Sequence, residues 1–211
     1  MKKLFLLLVL LVSTAGIAQK GKSKSTTKAA PKNVVLATSE NVTAEIITEK
    51  LGKRVVLFVK KDGKTDTIEI KKLDKLDFKP TSFTLKSYAT QGKKFYHVNW
   101  KEIIKVDTKL KKENGAVTED QLWDTDSKVL LLGNIHKASN IKETIFLDKN
   151  KTASHDVEKN RSEGFEFTLN PDGSFNLKTK TQNSTYAYNV ATSKYEIKGA
   201  PKTTSSPKKK K

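Results

Sequence analysis

Residues 165–177 read Phe-Glu-Phe-Thr-Leu-Asn-Pro-Asp-Gly-Ser-Phe-Asn-Leu, and this stretch carries the clearest structural signal of the chain. Apolar and polar residues alternate on both sides of the central Asn-Pro-Asp-Gly, which is the pattern of strands with one buried face. The four central residues predict a type I turn in which Gly173 takes the left-handed position. The predicted cross-strand pairs are Leu169 with Phe175 and Phe167 with Leu177.

The same alternation, broken by short turn signals, extends over residues 33–198. Two-residue turns at Asp62-Gly63, Gln91-Gly92 and Thr192-Ser193 each predict a hairpin with apolar residues opposite apolar residues. The predicted pairs are Leu57 with Ile68, Val55 with Ile70, Leu85 with Val98, Phe83 with Trp100, Tyr88 with Phe95, Val190 with Tyr195, and Tyr188 with Ile197. We therefore predict an all-β fold, a barrel or sandwich of antiparallel hairpins with few or no long helices.

Three segments permit more than one structure. Residues 42–49 fit a strand paired with residues 54–59, but Ile46, Ile47 and Leu51 also fit one face of a helix. Thr118 and Gln121 have the spacing of a capping box, which predicts a short helical turn through Trp123. Asn99 and Glu102 have the same spacing and compete with a strand that continues through Val106. For these segments the sequence does not decide between helix and strand.

The first 18 residues differ from the rest of the chain. Lys2 and Lys3 precede an unbroken apolar run at residues 4–12, and Gly16-Ile17-Ala18 places small residues where a signal peptidase requires them. The apolar run is about half the length of a membrane span. We expect cleavage after Ala18 and export to the periplasm or beyond the cell, with no transmembrane segment in the mature chain.

Charge is concentrated at the ends of the chain. The 41 basic residues exceed the 23 acidic ones and give a net charge of +18. Residues 19–32 and 199–211 are rich in lysine and contain no acidic residue, so we expect two disordered tails. Such tails suit loose, salt-sensitive contact with an anionic envelope polymer. The lysines proposed for this contact are Lys20, Lys22, Lys24, Lys208, Lys209, Lys210 and Lys211.

The region between the tails divides at a polar segment. Residues 108–117 contain four lysines or glutamates and Gly115, so they could separate a first β-rich half, 33–110, from a second, 111–198. A single fused barrel or sandwich fits the pattern equally well.

The residues offer little catalytic chemistry. The chain lacks cysteine, has three scattered histidines, and contains none of the common phosphate-loop, nucleophile-elbow or metalloprotease motifs. An acidic cluster around Trp123 could hold calcium, although a solvated acidic loop explains it as well. The cluster comprises Glu119, Asp120, Asp124 and Asp126. We therefore expect a protein that is not an enzyme and has no cofactor, no metal and no specific nucleic-acid partner.

Residues 119–199 resemble the small lipocalin-like β domains of exported bacterial proteins. The matching features are Trp123, the apolar run 129–133, the strand 143–147, the hairpin 165–175, and the closing segments 185–188 and 195–197. Gln121 stands where the family usually has glycine. The resemblance implies an eight-stranded up-and-down barrel whose interior holds an apolar ligand, and it implies no catalytic residue.

Two functions follow as hypotheses. The first is a non-enzymatic envelope protein that binds an apolar or amphipathic ligand or acts as a scaffold, and the second is a surface-association protein held by its lysine tails. A secreted hydrolase is the remaining alternative. The candidate ligand-binding residues are Trp100, Trp123, Phe167, Tyr186, Tyr188 and Tyr195.

Overall fold

A computed structural model describes residues 33–49, 52–73 and 78–199. Within these residues the chain forms thirteen strands and no helix. The strands are β1 (Val34–Ser39), β2 (Val42–Glu49), β3 (Gly52–Lys61), β4 (Lys64–Leu73), β5 (Ser82–Thr90), β6 (Lys93–Asp107), β7 (Lys111–Asp124), β8 (Val129–Phe146), β9 (Ser154–Glu163), β10 (Glu166–Leu169), β11 (Phe175–Lys178), β12 (Asn183–Asn189) and β13 (Lys194–Ile197).

The strands form three antiparallel sheets in simple chain order. The first sheet is β1-β2-β3-β4, the central sheet is β5-β6-β7-β8-β9, and the third sheet is β10-β11-β12-β13. Each strand pairs with its sequence neighbour, as expected when short turns join strands of alternating polarity. The predicted all-β, hairpin-rich fold class is confirmed.

The first sheet settles one of the open segments. Residues 42–49 form β2, which pairs with β3 from Val42 opposite Val59 to Glu49 opposite Gly52, so the helical alternative is wrong. The hairpin at Asp62-Gly63 places Leu57 opposite Ile68 as predicted. A bulge then moves Val55 opposite Lys71 instead of Ile70, because one extra residue in a strand shifts every pair beyond it.

Both segments for which a helical turn was predicted form strands of the central sheet. The hairpin at Gln91-Gly92 has all three predicted pairs, after which β6 continues to Asp107. Thr118 and Gln121 lie within β7, which pairs with β6 on one side and β8 on the other. The capping-box prediction was wrong because long-range pairing satisfies the backbone groups that a helix start would leave free.

The third sheet contains one confirmed and one corrected hairpin. Residues 170–173 form the predicted turn, with Leu169 opposite Phe175 and Phe167 opposite Leu177. The last hairpin instead pairs Tyr188 with Tyr195 and Tyr186 with Ile197, so the predicted register was wrong by two residues on one strand. The loop is longer than two residues because side chains bond within it: Asn189 Oδ1 accepts from the Ala191 amide, and Thr192 Oγ1 donates to Glu196.

Both faces of the central sheet are partly covered by another sheet. We call the side that carries Trp100 and Trp123 the first face and the side that carries Phe95 and Leu122 the second face. The first face packs on the first sheet through a core of Val42, Ala44, Val55, Leu57, Val59, Ile68, Ile70, Leu85, Tyr96, Val98, Trp100 and Trp123. The second face packs on the third sheet through aromatic rings, as the 4.8 Å separation of the Phe95 and Tyr188 centroids illustrates.

The segment 108–117, predicted as a possible divider, forms the turn between β6 and β7 and the first residues of β7. β6 and β7 pair from Tyr96 opposite Trp123 to Asp107 opposite Lys112, so strands of both β-rich halves belong to one sheet. The strands matched to the lipocalin-like domains are divided between the central and third sheets and do not form one continuous eight-stranded sheet within residues 119–199.

The predicted export signal and the tail lysines lie outside the described residues. In the described part of the chain, no helix is long and apolar enough to cross a membrane.

Candidate functional site

The six aromatic residues predicted to bind a ligand do not share one pocket. Trp100 and Trp123 are only 1% and 7% exposed and belong to the core between the first and central sheets. Trp100 stacks on Phe83 at a centroid distance of 5.9 Å. Lys71 Nζ lies 4.8 Å from the centroid of the same indole. These contacts make Trp100 a packing residue, and Trp123 is buried in the same core.

The other four aromatic residues lie in the third sheet, on the opposite side of the central sheet. Their rings pack on one another, on Phe175 and on the central sheet; the four are Phe167, Tyr186, Tyr188 and Tyr195. Tyr195 Oη donates to the Gly173 carbonyl oxygen at 2.9 Å and lies 3.0 Å from Tyr88 Oη. Burial, followed by the Tyr195 hydrogen bond, raises the pKa of the Tyr88 phenol.

Gln121 has a structural role that the sequence alone did not reveal. Its side-chain oxygen accepts from Trp123 Nε1 at 2.8 Å, and its Nε2 donates to the Ile70 carbonyl oxygen at 3.2 Å and to Glu119 at 3.0 Å. The amide therefore ties the central sheet to β4 and satisfies a buried indole N–H. A glycine at this position could make none of these bonds.

The acidic side chains near Trp123 do not form a cluster, because strand geometry directs them to different faces. Glu119 and Asp120 point to opposite faces because they are neighbours in β7. Asp120 is buried, with His97 Nε2 at 2.9 Å and Asn99 Nδ2 at 2.8 Å from its Oδ1. No group of three or more His, Asp or Glu side chains is arranged for a metal ion in residues 33–49, 52–73 and 78–199.

The second face of the central sheet remains open beyond the third sheet, and it contains two clefts. One cleft of about 410 Å³ is lined by Asn114, His136, Ala138, Ser139, Asn140, Asn160, Arg161, Ser162, Glu166 and Lys180. Another of about 480 Å³ is lined by Thr108, Lys109, Leu110, Lys111, Lys112, Lys142, Glu143, Thr144, Asp156, Val157 and Glu158. We call the two clefts together the polar trough.

The two clefts of the polar trough occupy adjacent rows of the same sheet face. Asn114, Asn140 and Asn160 are directly opposite one another on β7, β8 and β9 and form one row. Lys112, Lys142 and Glu158 form the next row, two residues further along each strand. Because strand side chains alternate between faces, both rows point to the same side. The third sheet borders one end of the trough, and the turn at residues 108–110 borders the other.

Hydrogen bonds within the polar trough orient part of its amide row. Asn140 Nδ2 donates to Glu158 Oε1 and to Asn160 Oδ1, both at 3.0 Å. The Asn140 bond, followed by the Lys142 ion pair, lowers the pKa of Glu158. Within the described part of the protein, the Asn114 amide, Asn140 Oδ1 and Asn160 Nδ2 make no hydrogen bond. These groups are free to bond to a ligand.

Exposed lysines lie beside and within the polar trough. Lys101 and Lys105 on β6 and Lys112 on β7 occupy the second face, and Lys180 comes from the end next to the third sheet. None of the four has an ion pair with another described residue, whereas Lys142 pairs with Glu158 at 3.1 Å. The open face therefore presents positive charge that no carboxylate among the described residues neutralises by an ion pair.

The first face of the same strands contains a buried carboxylate. Glu113 is enclosed by Lys111 Nζ at 2.9 Å and Lys137 Nζ at 3.3 Å. The Lys111 ammonium, aided by Lys137, lowers the pKa of Glu113 from 4.5 to about 2. Since the folded state favours the ionised form, this carboxylate stabilises the fold above its unfolded pKa and ceases to do so as the pH falls toward 2.

We expect Glu113→Gln to reduce the acid sensitivity of the protein. The native chain should lose stability between pH 4.5 and about 2 through protonation of Glu113, and the glutamine variant should lose less over that window. Urea unfolding midpoints at several pH values in this window test the difference. Glu166→Gln, at an exposed position, is the matched control; an equal change in acid sensitivity for both variants would contradict the assignment.

Comparison of the chain with family models, curated proteins and solved structures found no match. Fold and geometry thus define the class: an all-β protein of three antiparallel sheets with an open, polar face on its central sheet.

Proposed function

We propose that this chain is an exported, non-enzymatic binding protein that associates with an anionic polymer of the cell envelope, in the periplasm or outside the cell. The observation that carries the proposal is the set of exposed lysines on the second face of the central sheet that lack ion pairs with described residues: Lys101, Lys105 and Lys112. Positive charge on one open face attracts an anionic partner and orients it against that face.

The sequence outside the described residues supports the same function. The lysines of residues 19–32 and 199–211 occur without a single acidic residue, and the amino-terminal pattern is that of an export signal. An anionic polymer can contact both the tails and the folded face, so the two weak contacts reinforce each other.

The geometry favours this function over an apolar ligand held in the interior. Of the six aromatic residues first considered for such a ligand, Trp100 and Trp123 are buried between the first and central sheets. The other four pack on one another and on the central sheet. Their rings already have packing partners, whereas the amides and lysines of the open face have polar groups to offer. A scaffolding role remains compatible with polymer association.

Binding to isolated envelope tests the proposal with two variants that have the same net charge. Two full-length variants each replace three exposed lysines with glutamine: Lys101, Lys105 and Lys112 in one, and Lys60, Lys64 and Lys79 in the control. We expect the first variant to bind several-fold more weakly at low salt and the control to bind almost like the native chain. The difference should fade as ionic strength rises, because the screening length falls from about 10 Å at 0.1 M to about 3 Å at 1 M.

Two results would overturn the proposal. One is an unchanged bound fraction when salt rises tenfold, since contacts between exposed charges must weaken on screening. The other is an absence of binding to envelope and to every anionic polymer tried at low salt.

A further inference from the structure

The polar trough combines two kinds of ligand-binding group. Its lysines provide positive charge, and its asparagine row provides amide donors and acceptors that have no partner among the described residues. An amide can bond to a hydroxyl as donor or acceptor, whereas a lysine ammonium bonds most strongly to a carboxylate or phosphate. A ligand that uses both kinds of group carries hydroxyls as well as negative charges.

The acidic side chains of the trough restrict which groups of a ligand can lie against them. Asp156 and Glu158 line one cleft and Glu166 lines the other. Hydrogen bonds hold two of them in place, because Thr144 Oγ1 donates to Asp156 and Asn140 Nδ2 donates to Glu158. A ligand carboxylate or phosphate placed against these side chains would be repelled, but a hydroxyl can donate to them.

The side chains of the trough also disfavour nucleic acid. Neither cleft is lined by a Phe, Tyr or Trp side chain, although single-stranded nucleic acids bind largely by stacking their bases on such rings. Arg161 is the one arginine among the lining residues, and it forms an ion pair with Glu163. The lining therefore lacks the large aromatic rings on which unpaired bases stack.

The dimensions of the trough suit one extended chain. From His136 to Thr144 the trough follows β8 for about 27 Å, at roughly 3.4 Å per residue, and its three strands span about 10 Å. Ala116 and Ala138 lie opposite each other on its floor, between the asparagine row and the third sheet. Their small side chains let a polymer approach the sheet closely along its length.

We propose that the polar trough binds a single extended chain of an acidic polysaccharide, one that carries carboxylates and free hydroxyls. Lys105 and Lys112 pair with carboxylates of the sugar chain. Asn114 and Asn160 bond to its hydroxyls, and Glu158 accepts from a hydroxyl. This inference rests on the proposed function. It assigns the contact between the folded part of the chain and the polymer to one site and one class of polymer.

Calorimetric titration of the full-length processed chain tests the site. The probes are oligogalacturonate, a neutral dextran oligomer of the same length, and single-stranded oligodeoxythymidylate. The variant Asn114→Ala/Asn160→Ala removes two amides without changing the net charge. Its control, Asn150→Ala/Asn183→Ala, removes two exposed amides outside the trough that make no side-chain hydrogen bond with described residues.

We expect oligogalacturonate to bind more tightly than either other probe. The Asn114/Asn160 variant should bind it about tenfold more weakly, the loss expected for roughly two hydrogen bonds, while the control should bind like the native chain. Unchanged melting temperatures will show that all variants remain folded, since the substituted side chains are exposed.

The possible failures can be told apart. Tighter binding of oligodeoxythymidylate, or equal oligogalacturonate binding by both double variants, would overturn the trough inference but leave association with an anionic polymer standing. Loss of binding to envelope and to every anionic probe would overturn the proposed function as well.

Discussion

Replacing Trp100 with alanine is expected to lower the free energy of unfolding by about 3–5 kcal/mol, the usual cost of removing a buried tryptophan. The indole is 1% exposed, stacks on Phe83 and lies edge-on to Phe78. The Lys71 ammonium lies over the same ring, 4.8 Å from its centroid, and forms ion pairs with Glu102 and Glu119. The substitution therefore opens a cavity and removes the aromatic support of a charge network.

Urea denaturation followed by circular dichroism measures this loss. Ile103→Ala is the matched control, because Ile103 lies on the same strand but is 56% exposed on the opposite face. Substitution there should change the stability by no more than about 0.5 kcal/mol. Similar losses for the two variants would show that packing between the first and central sheets does not stabilise the fold as described.

Replacing Gly164 with alanine is expected to cost about 2–5 kcal/mol from two sources. The residue has a φ of +80°, a conformation that costs other residues roughly 1–2 kcal/mol. A Cβ atom here would also lie 2.0 Å from the carbonyl oxygen of Ile135, so the backbone would have to move, at a further cost of about 1–3 kcal/mol. Gly164 comes just before β10, and the adjacent Phe165 carbonyl accepts from Asn134 Nδ2 at 2.9 Å.

Gly92→Ala separates the two costs. Gly92 has a similar φ of +73°, but no atom lies within 4 Å of the position of a Cβ. This variant should lose only the conformational part, roughly 1–2 kcal/mol. Equal unfolding midpoints for the two variants would mean that the close approach of Gly164 to β8 adds nothing to the cost of the substitution.

Local patterns predicted the hairpins closest to a tight turn. Gln91-Gly92 and the turn at residues 170–173 fixed their registers because a few residues determine how such turns close. The register failed where a bulge intervened at Val55 and where the last loop extended to residues 190–193. The bulge depends on pairing beyond the turn, and the longer loop depends on side-chain hydrogen bonds that a two-residue turn pattern does not predict.

Site prediction from the sequence was less complete, for a related reason. Alternation identifies the large aromatic residues but does not say which sheet will cover each face, so residues destined for two separate cores were grouped as one site. The asparagine row gave no sequence signal, because Asn114, Asn140 and Asn160 belong to three different strands. Only the registers of β7 with β8 and of β8 with β9 bring them together.

The amino-acid order by itself determined that this chain builds antiparallel strands, since side-chain alternation and turn chemistry act over a few residues. The tertiary structure alone decided how the strands are shared among three sheets, and that the second face of the central sheet stays partly open. Those outcomes depend on contacts between residues far apart in the chain, which compete across the whole fold and leave no local pattern.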